Sequence, residues 1–148
     1  MTHPDDLAGV RAWFQELAVH VREVDFAGAR PIFASDMIAF GTFTDFMTGR
    51  DAAEQQQWRN VWPHIDGFRW RDDVRAIVSP DRLQAIGMGI FDSTGYRQDG
   101  TPYDRPGRAT VVLVRDAAGA GWRAQHTHLS LFRDVPTRSF KSKPEKGA

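Results

Sequence analysis

The chain has 148 residues, enough for one domain of ordinary size that buries a single hydrophobic core. Lysine plus arginine and aspartate plus glutamate both number 19, so no net charge attracts nucleic acid or an anionic membrane. There is no cysteine, which excludes disulfides, thiolate metal ligands and cysteine nucleophiles. Five tryptophans and ten phenylalanines are a heavy aromatic load, which predicts either a dense core or a cavity with aromatic walls.

The first half of the chain is predicted to be mainly helical. Apolar residues recur at three- and four-residue steps over residues 4–20, a spacing typical of an amphipathic helix. A second, shorter helix over residues 25–33 can be capped by its first residue, Asp25, and residues 37–42 have the pattern of a short strand. A third helix is predicted over residues 48–63.

No targeting or membrane-spanning segment is expected. The N-terminal sequence MTHPDDLAGV lacks the basic start and apolar run of a secretion signal. Nowhere do about 18 apolar residues follow one another, as a membrane-spanning helix requires. We therefore expect a cytoplasmic protein.

The chain after Asp66 is predicted to be extended. Four runs have strand length and are separated by turn sequences: residues 68–79, 82–93, 107–116 and 121–132. The short spacers predict antiparallel pairing between neighbours. Helices that precede antiparallel strands indicate an α+β domain, with the helices packed on one face of a strongly curved sheet that encloses a pocket.

The domain is predicted to cover residues 1–135. Residues 136–148 are lysine-rich and lack apolar periodicity, which predicts a flexible C-terminal tail. The segment 93–107 is long for a hairpin loop, and we expect it to fold over the pocket as a lid. It contributes Tyr96 and Tyr103, whose phenols could donate to a ligand.

The stretch GWRAQHTHLSLFR, residues 121–133, carries the chemistry-bearing side chains of the last strand. In a regular strand Trp122, His126 and His128 share one face, which we assign to the concave side of the sheet. Three interpretations stay open for the histidines: general acid and base, hydrogen-bonding core residues, or metal ligands that lack an identifiable third ligand. The other predicted pocket-lining residues are Phe40, Trp58, Trp62, Trp70, Tyr103 and Arg108.

Three stretches resemble a known family. They are VDFAGARPIFASDMIAFGTF (residues 24–43), GRDAAEQQQWRNVWP (residues 49–63) and the ending WRAQHTHLS (residues 122–130). With them the chain resembles the nuclear-transport-factor-two-like superfamily, also called cystatin-like or ketosteroid-isomerase-like, in particular its SnoaL-like branch. It is also similar to the association domain of calcium/calmodulin-dependent kinases. The resemblance implies a cone-shaped fold, a pocket between helices and sheet, and a homodimer built across the outer face of the sheet.

The resemblance also allows a test for steroid isomerisation, which needs an aspartate base, a tyrosine and a protonated aspartic acid. In this sequence the corresponding positions fall on Phe40, on Leu17, and near Ala109 or Thr110. None of these side chains can take up a proton or act as a strong oxyanion donor. Steroid isomerisation is therefore not expected.

Two hypotheses follow for the function. The first is a small-molecule-binding protein that isomerises, dehydrates or cyclises an apolar or aromatic ligand by proton transfer at His126 or His128. The alternative is a non-catalytic ligand carrier or an oligomerisation module of the same fold. Both expect a small-molecule ligand and a homodimer, and neither expects a cofactor, a metal, nucleic acid or a membrane as partner.

Overall fold

The structure is a computed structural model that describes residues 2–147. Its first element, α1 (Pro4–Glu23), begins where His3 accepts a hydrogen bond from the Asp5 backbone N–H. Pro4 occupies the first helical position, where a missing N–H costs nothing, and acidic residues follow in the first turn. The helix ends where Val24 adopts a left-handed conformation with a φ of 50°.

The other helical segments are short and form two groups. The first group contains α2 (Phe26–Ala29) and a 3₁₀ turn (Arg30–Ile32). The second contains α3 (Arg50–Ala53), a π-helical turn (Glu54–Trp58), α4 (Arg59–Val61) and a 3₁₀ turn (Trp62–His64). We call this second group the central helical segment (residues 50–64). It lies where the third helix is predicted, but its helical type changes along its length.

Eight strands over the described residues form one open sheet. They are β1 (Phe33–Phe40), β2 (Met47–Thr48), β3 (Asp66–Trp70), β4 (Arg75–Val78), β5 (Gln84–Tyr96), β6 (Pro102–Asp104), β7 (Gly107–Val114) and β8 (Arg123–Leu131). The order across the sheet is β2-β1-β8-β7-β5-β3, and β4 and β6 also pair with β5. Strands β1 and β8 are parallel, and the other pairs are antiparallel.

Two extended segments differ from the prediction. The run over residues 68–79 is interrupted after Trp70, so it forms two strands, β3 and β4, that pair with different parts of β5. The predicted lid over residues 93–107 is largely a hairpin, because β5 continues to Tyr96 and pairs with β6. Only residues 97–101 form the turn between these strands, closed by a 2.8 Å hydrogen bond between the Arg97 N–H and the Thr101 carbonyl.

Helix α1 packs on the inner face of the sheet against β5. Gly87 and Gly89 make this close approach possible, since a Cβ at either position would lie 2.7 or 3.0 Å from the Phe14 ring. The Phe14 ring in turn meets Trp70 edge-on, with 4.7 Å between ring centroids. The predicted α+β fold, with N-terminal helices on one face of an open antiparallel sheet, is confirmed.

A buried ion cluster holds the start of α1 to the sheet. Asp6 accepts two hydrogen bonds from Arg82, at 2.7 and 3.0 Å, and one of 2.6 Å from Arg115. The Arg115 guanidinium also lies 3.9 Å from the centre of the Trp122 ring. Hydrogen bonds from Arg82 and Arg115 hold the pKa of Asp6 well below its ordinary value, although burial opposes the shift. We call these three residues (Asp6, Arg82 and Arg115) the Asp6 cluster.

The residues after β8 follow a defined path between the β5–β6 hairpin and the central helical segment. Ser139 donates a 2.6 Å hydrogen bond to the His64 carbonyl and accepts one of 2.7 Å from the Tyr96 N–H. Further along, the Lys143 N–H donates to the Pro63 carbonyl at 2.7 Å. The flexibility predicted for residues 136–148 stays a prediction, and Met1 and Ala148 lie outside the described residues. Within residues 2–147, no helix is long and apolar enough to cross a membrane.

Candidate functional site

The strand that carries both candidate catalytic histidines, β8, contains a β-bulge. His126 lies opposite Val112 of β7, but the next residue of β7, Leu113, lies opposite Ala124. Gln125 is therefore an extra residue in β8. An extra residue reverses the face on which every later side chain of a strand lies.

The bulge makes the predicted orientation of the histidines wrong. Ala124, before the bulge, is buried on the inner face as predicted. After the bulge the inner positions are occupied by Thr127, which is buried, and by Leu129, and both residues line the inner cavity. His126 and His128 consequently lie on the outer face of the sheet, and His128 is exposed.

On the outer face the two imidazoles belong to an aromatic group. The His126 Nδ1 lies 2.6 Å from the Ile38 carbonyl oxygen of the parallel strand β1. The Phe40 ring contacts both imidazoles, with centroid distances of 6.0 Å to His126 and 5.3 Å to His128. Phe46 lies 4.7 Å from Phe40 and is 69% exposed. The catalytic role of the histidines stays a prediction, and it now requires a substrate on this outer face.

One row of side chains on the outer face is mainly apolar. Directly opposed residues of an antiparallel pair share a face, so the strand register defines a row across five strands. The row contains Ile38, His126, Val112, Ile86 and Ile77. Exposed fractions of 43%, 36% and 62% at Ile38, Ile86 and Ile77 show that no described element covers this row.

An inner cavity of about 50 Å³ lies between the central helical segment and the sheet. Trp58 and Trp62, two of the predicted pocket residues, lie on its wall. Phe40, a third, also borders the cavity, although its ring lies with the imidazoles on the outer face. The two tryptophan rings stack on each other, with 4.9 Å between centroids and 11° between planes. Such a volume holds a few water molecules or a group of similar size, but not an aromatic ring.

The π-helical turn of the central helical segment directs an amide into this cavity. Gln57 lies in the turn, lines the cavity and is buried. Its Oε1 has no hydrogen-bond partner, while its Nε2 donates a long bond of 3.4 Å to Thr42. Gly41 leaves the space for it, because a Cβ there would lie 2.0 Å from Gln57 Oε1. π-Helical turns are frequent at functional sites.

Arg105 is the other polar residue of the cavity that lacks a partner. Only 2% of Arg105 is exposed, and its Nε makes no hydrogen bond. No carboxylate among residues 2–147 forms an ion pair with its guanidinium, and burial lowers the pKa of that group from its ordinary value to about 10. Keeping this cation charged costs the folded state about 3 kcal/mol.

Arg105 also lines a wider pocket that opens to solvent. This mouth pocket has a volume of about 590 Å³ and shares Val61, Ile65 and Arg105 with the inner cavity. The ionised residues on its wall are Arg105 and Arg138, and the wall contains no acid. The other lining residues of the mouth pocket are Phe43, Asn60, His64, Thr137, Ser139 and Phe140. The C-terminal residues thus form one side of the entrance.

Two predicted pocket tryptophans lie elsewhere in the structure. Trp70 is a core residue packed against Phe14 and does not line the inner cavity. Trp122 is buried beside Arg115 of the Asp6 cluster and borders a separate open pocket of about 690 Å³ at that end of α1. Both rings serve packing because α1 covers them.

Tyr103 and Arg108 were also predicted to line the pocket, and they do not. The Tyr103 hydroxyl donates a 2.9 Å hydrogen bond to the Arg138 carbonyl, so it holds the C-terminal segment instead. Arg108 is exposed on the outer face, where its guanidinium lies 4.6 Å from the centre of the Phe132 ring. The error at Tyr103 arises because segment 93–107 forms a strand pair instead of a loop over the pocket. Arg108 lies in β7, where it occupies an outer position between the inner residues Gly107 and Ala109.

The described wall of the inner cavity provides no general acid or base. It contains no aspartate, glutamate, histidine or tyrosine. Among the positions tested for steroid isomerisation, Phe40 and Leu17 lie on this wall, and Ala109 is buried. Within residues 2–147 no three histidine, aspartate or glutamate side chains are grouped closely enough to hold a metal ion. The inner cavity can therefore bind and orient a group of a ligand, while the mouth pocket has one imidazole, His64, on its described wall.

The cone of helices on an open, strongly bent sheet is the architecture of nuclear-transport-factor-two-like and ketosteroid-isomerase-like proteins. Residues 10–134 match the family model of the SnoaL-like domain, and the chain belongs to this family. The comparison with functionally curated proteins finds no match.

Solved structures support the same fold. A ketosteroid isomerase-like protein from Erwinia carotovora atroseptica superposes with a TM-score of 0.74 at 13% identity, covering 90% of this chain and all of its own. The CaMKII hub of S. rosetta gives a TM-score of 0.70 at 20% identity, covering 88% of this chain and 98% of its own. A nuclear-transport-factor-two-like superfamily protein from Salmonella enterica gives 0.69 at 13% identity, covering 88% and 94%. Identities this low establish the fold alone.

Proposed function

We propose that the chain is a small-molecule-binding protein that holds an apolar or aromatic ligand in the mouth pocket, beside the central helical segment. The observation that carries this proposal is the solvent-open mouth pocket of about 590 Å³, which shares Val61, Ile65 and Arg105 with the aromatic inner cavity. A pocket of this size accommodates a small organic molecule, and its few polar groups can fix the orientation of one. The inner cavity wall has no acid or base among its described residues, which favours the non-catalytic alternative, a ligand carrier, unless His64 of the mouth pocket takes part in proton transfer.

Ligand binding can be tested with a blocking variant. Thr137 is exposed on the wall of the mouth pocket, so Thr137→Trp should fill the entrance without disturbing the core. A panel of small aromatic compounds is titrated into the protein while the fluorescence of its tryptophans is recorded. Because Trp58 and Trp62 line the cavity, bound compounds should change the emission of the wild type and lose this effect in Thr137→Trp.

The matched control is Thr101→Trp, which adds the same ring at an exposed turn position outside both pockets. This control should bind compounds as the wild type does. Equal binding by the wild type and Thr137→Trp would refute the proposed pocket.

Catalysis by histidine remains a hypothesis. Isomerase, dehydratase or cyclase activity at His126 or His128 requires a substrate bound next to Phe40 and Phe46 on the outer face. If the His126→Ala and His128→Ala variants fold and keep every turnover that the wild type shows, histidine catalysis is excluded.

A second function, self-assembly, is favoured by the uncovered isoleucine row on the outer face. Burying Ile77, Ile86 and their neighbours against a second copy would remove a large apolar area from water, at roughly 25 cal/mol per Å². The name of the S. rosetta protein, a hub, refers to assembly in that relative. We therefore propose a homodimer through the outer sheet face.

Sedimentation velocity tests this assembly. Ile86→Lys places a charge in the middle of the row and should give monomers at concentrations where the wild type is dimeric. Val19→Lys is the matched control, because Val19 is similarly exposed, at 40%, but lies on α1 at the opposite face of the domain. A monomeric wild type, or an Ile86→Lys dimer of unchanged affinity, would contradict the proposal.

A further inference from the structure

The fold alone does not explain why Arg105 carries a buried charge without an ion-pair partner. Buried cations in proteins are normally paired, because an uncompensated charge in a low-dielectric site is destabilising. The other arginine with an almost fully buried side chain, Arg115, follows this rule through its hydrogen bond to Asp6. Arg105 makes no ion pair with any described residue, although it lies where both pockets meet.

From this geometry we infer that Arg105 binds the carboxylate of a ligand whose apolar body occupies the mouth pocket. The inference rests on the proposed function and names its ligand class, a monocarboxylate with an apolar or aromatic body. The planar guanidinium presents paired donors whose spacing matches the two oxygens of a carboxylate. At neutral pH the side chain remains charged in spite of its lowered pKa, because that pKa is still about 10.

The volumes of the two pockets determine which way the ligand enters. The inner cavity of about 50 Å³ is large enough for a carboxylate group but too small for a ring. The mouth pocket of about 590 Å³ is large enough for a ring or a short chain. Its apolar wall, formed by Phe43, Val61, Ile65 and Phe140, suits such a body. The ligand therefore enters with its carboxylate first.

The charges around the pocket favour an anion. The wall of the mouth pocket contains a second arginine, Arg138, and no acid, so a carboxylate meets positive potential along its path. Gln57 Oε1, the other polar atom without a partner, lies on the inner cavity wall; as an acceptor it cannot bond to a carboxylate oxygen, but it can accept a hydrogen bond from a water beside the head group.

The inference is tested with two compounds that differ in charge and little in shape, sodium benzoate and benzamide. Isothermal titration calorimetry should show that the wild type binds benzoate about 10- to 100-fold more tightly than benzamide, as expected for charge-assisted hydrogen bonds. In Arg105→Met this preference should disappear, while benzamide affinity stays within about twofold. The matched control is Arg97→Met, since Arg97 is exposed on the same hairpin and lines neither pocket.

An NMR measurement on the wild type tests the inference without requiring that the Arg105→Met variant folds. Benzoate should shift the NMR signal of the Arg105 Nε–H, which has no hydrogen-bond partner in the protein. Benzamide should leave that signal in place.

The outcomes separate the two proposals. If benzamide binds as tightly as benzoate, or if Arg105→Met keeps the full preference for benzoate, the carboxylate inference fails while ligand binding stands. If neither compound binds and the aromatic panel also leaves the tryptophan emission unchanged, both proposals fail.

Discussion

Arg115 and Arg105 are both buried, but they lie at different ends of the domain and have different neighbours. Arg115 belongs to the Asp6 cluster, where the Asp6 carboxylate neutralises it and also bonds to Arg82. Arg105 lies between the inner cavity and the mouth pocket and has no carboxylate partner among the described residues.

The charge of Arg115 therefore stabilises the fold, whereas the charge of Arg105 is available to a ligand. Removing one member of a satisfied buried pair leaves its partner uncompensated, so the fold depends on every member of the Asp6 cluster. Removing an unpaired buried charge relieves a cost that the fold already carries. Mutations at the two sites should therefore change stability in opposite directions.

The largest expected effect is at Asp6. Asp6→Asn removes the negative charge between two arginines and should lower the free energy of unfolding by about 3–5 kcal/mol at pH 7. Urea denaturation followed by circular dichroism measures the loss. Asp5→Asn is the matched control in the same helical turn, and it should cost less than about 1 kcal/mol because Asp5 is exposed. A small loss of stability in Asp6→Asn would mean that the Asp6 cluster does not hold α1 to the sheet.

Arg105→Met should change the free energy of unfolding in the opposite direction. Replacing the unpaired guanidinium with an apolar side chain of similar length should raise the free energy of unfolding by about 1–3 kcal/mol in the absence of ligand. The melting temperature should rise accordingly, while Arg97→Met leaves it unchanged. A destabilised Arg105→Met protein would show that Arg105 has a structural partner after all, and the comparison with Arg115 would fail.

The two sites should also differ in their response to pH. Because the pKa of Asp6 is lower in the folded than in the unfolded protein, its contribution is fully present above about pH 4 and is lost as the pH falls further. The stability difference between wild type and Asp6→Asn should therefore shrink by about 1 kcal/mol between pH 5 and pH 3.

The stability cost of the Arg105 charge depends on pH only in the alkaline range. Its folded pKa of about 10 is lower than the ordinary pKa of arginine, so the cost of its charge is constant below pH 10 and is relieved only at higher pH. The gain from Arg105→Met should consequently be equal at pH 5 and pH 8. A gain that varies between these values would indicate an unrecognised titrating partner.

The sequence allows much of the fold to be predicted, because its patterns are local. The apolar spacing of α1, its capping residues and the alternation in β5, β7 and β8 all follow from short-range rules. The hairpin of β5 and β6 was missed because a turn of five residues within a glycine- and proline-containing stretch resembles an open loop. Its strand pairing depends on contacts between residues that are distant in sequence.

The candidate site is less predictable, for two physical reasons. A single extra residue, Gln125, moves His126 and His128 to the outer face, and no composition or spacing in WRAQHTHLS indicates the bulge. Arg105 was overlooked because arginines are mostly exposed, and only the three-dimensional structure shows that this one is buried without a partner. Trp58 and Trp62 were found since large aromatic side chains on an amphipathic segment face the interior wherever the fold closes.

The smallest expected effect concerns the C-terminal segment, which is held at the Arg105 end by neutral hydrogen bonds and by partly exposed ion pairs such as Lys141–Asp66. Ser139→Ala removes its bond to the His64 carbonyl and leaves the Tyr96 N–H without an acceptor. The loss should be about 1 kcal/mol and local, because each such bond contributes little net stability. Hydrogen exchange should therefore accelerate about fivefold at the Lys143 amide, which is bonded to Pro63.

The matched control is Ser130→Ala, a serine of β8 outside the C-terminal segment, which should leave exchange at Lys143 unchanged. Exchange in the Asp6 cluster should be unaffected by both variants, since it lies at the other end of α1. If Ser139→Ala leaves Lys143 protected, other contacts hold the segment. If Lys143 already exchanges freely in the wild type, residues 136–148 are flexible as the composition predicts, and the wall they form at the mouth pocket is open for part of the time.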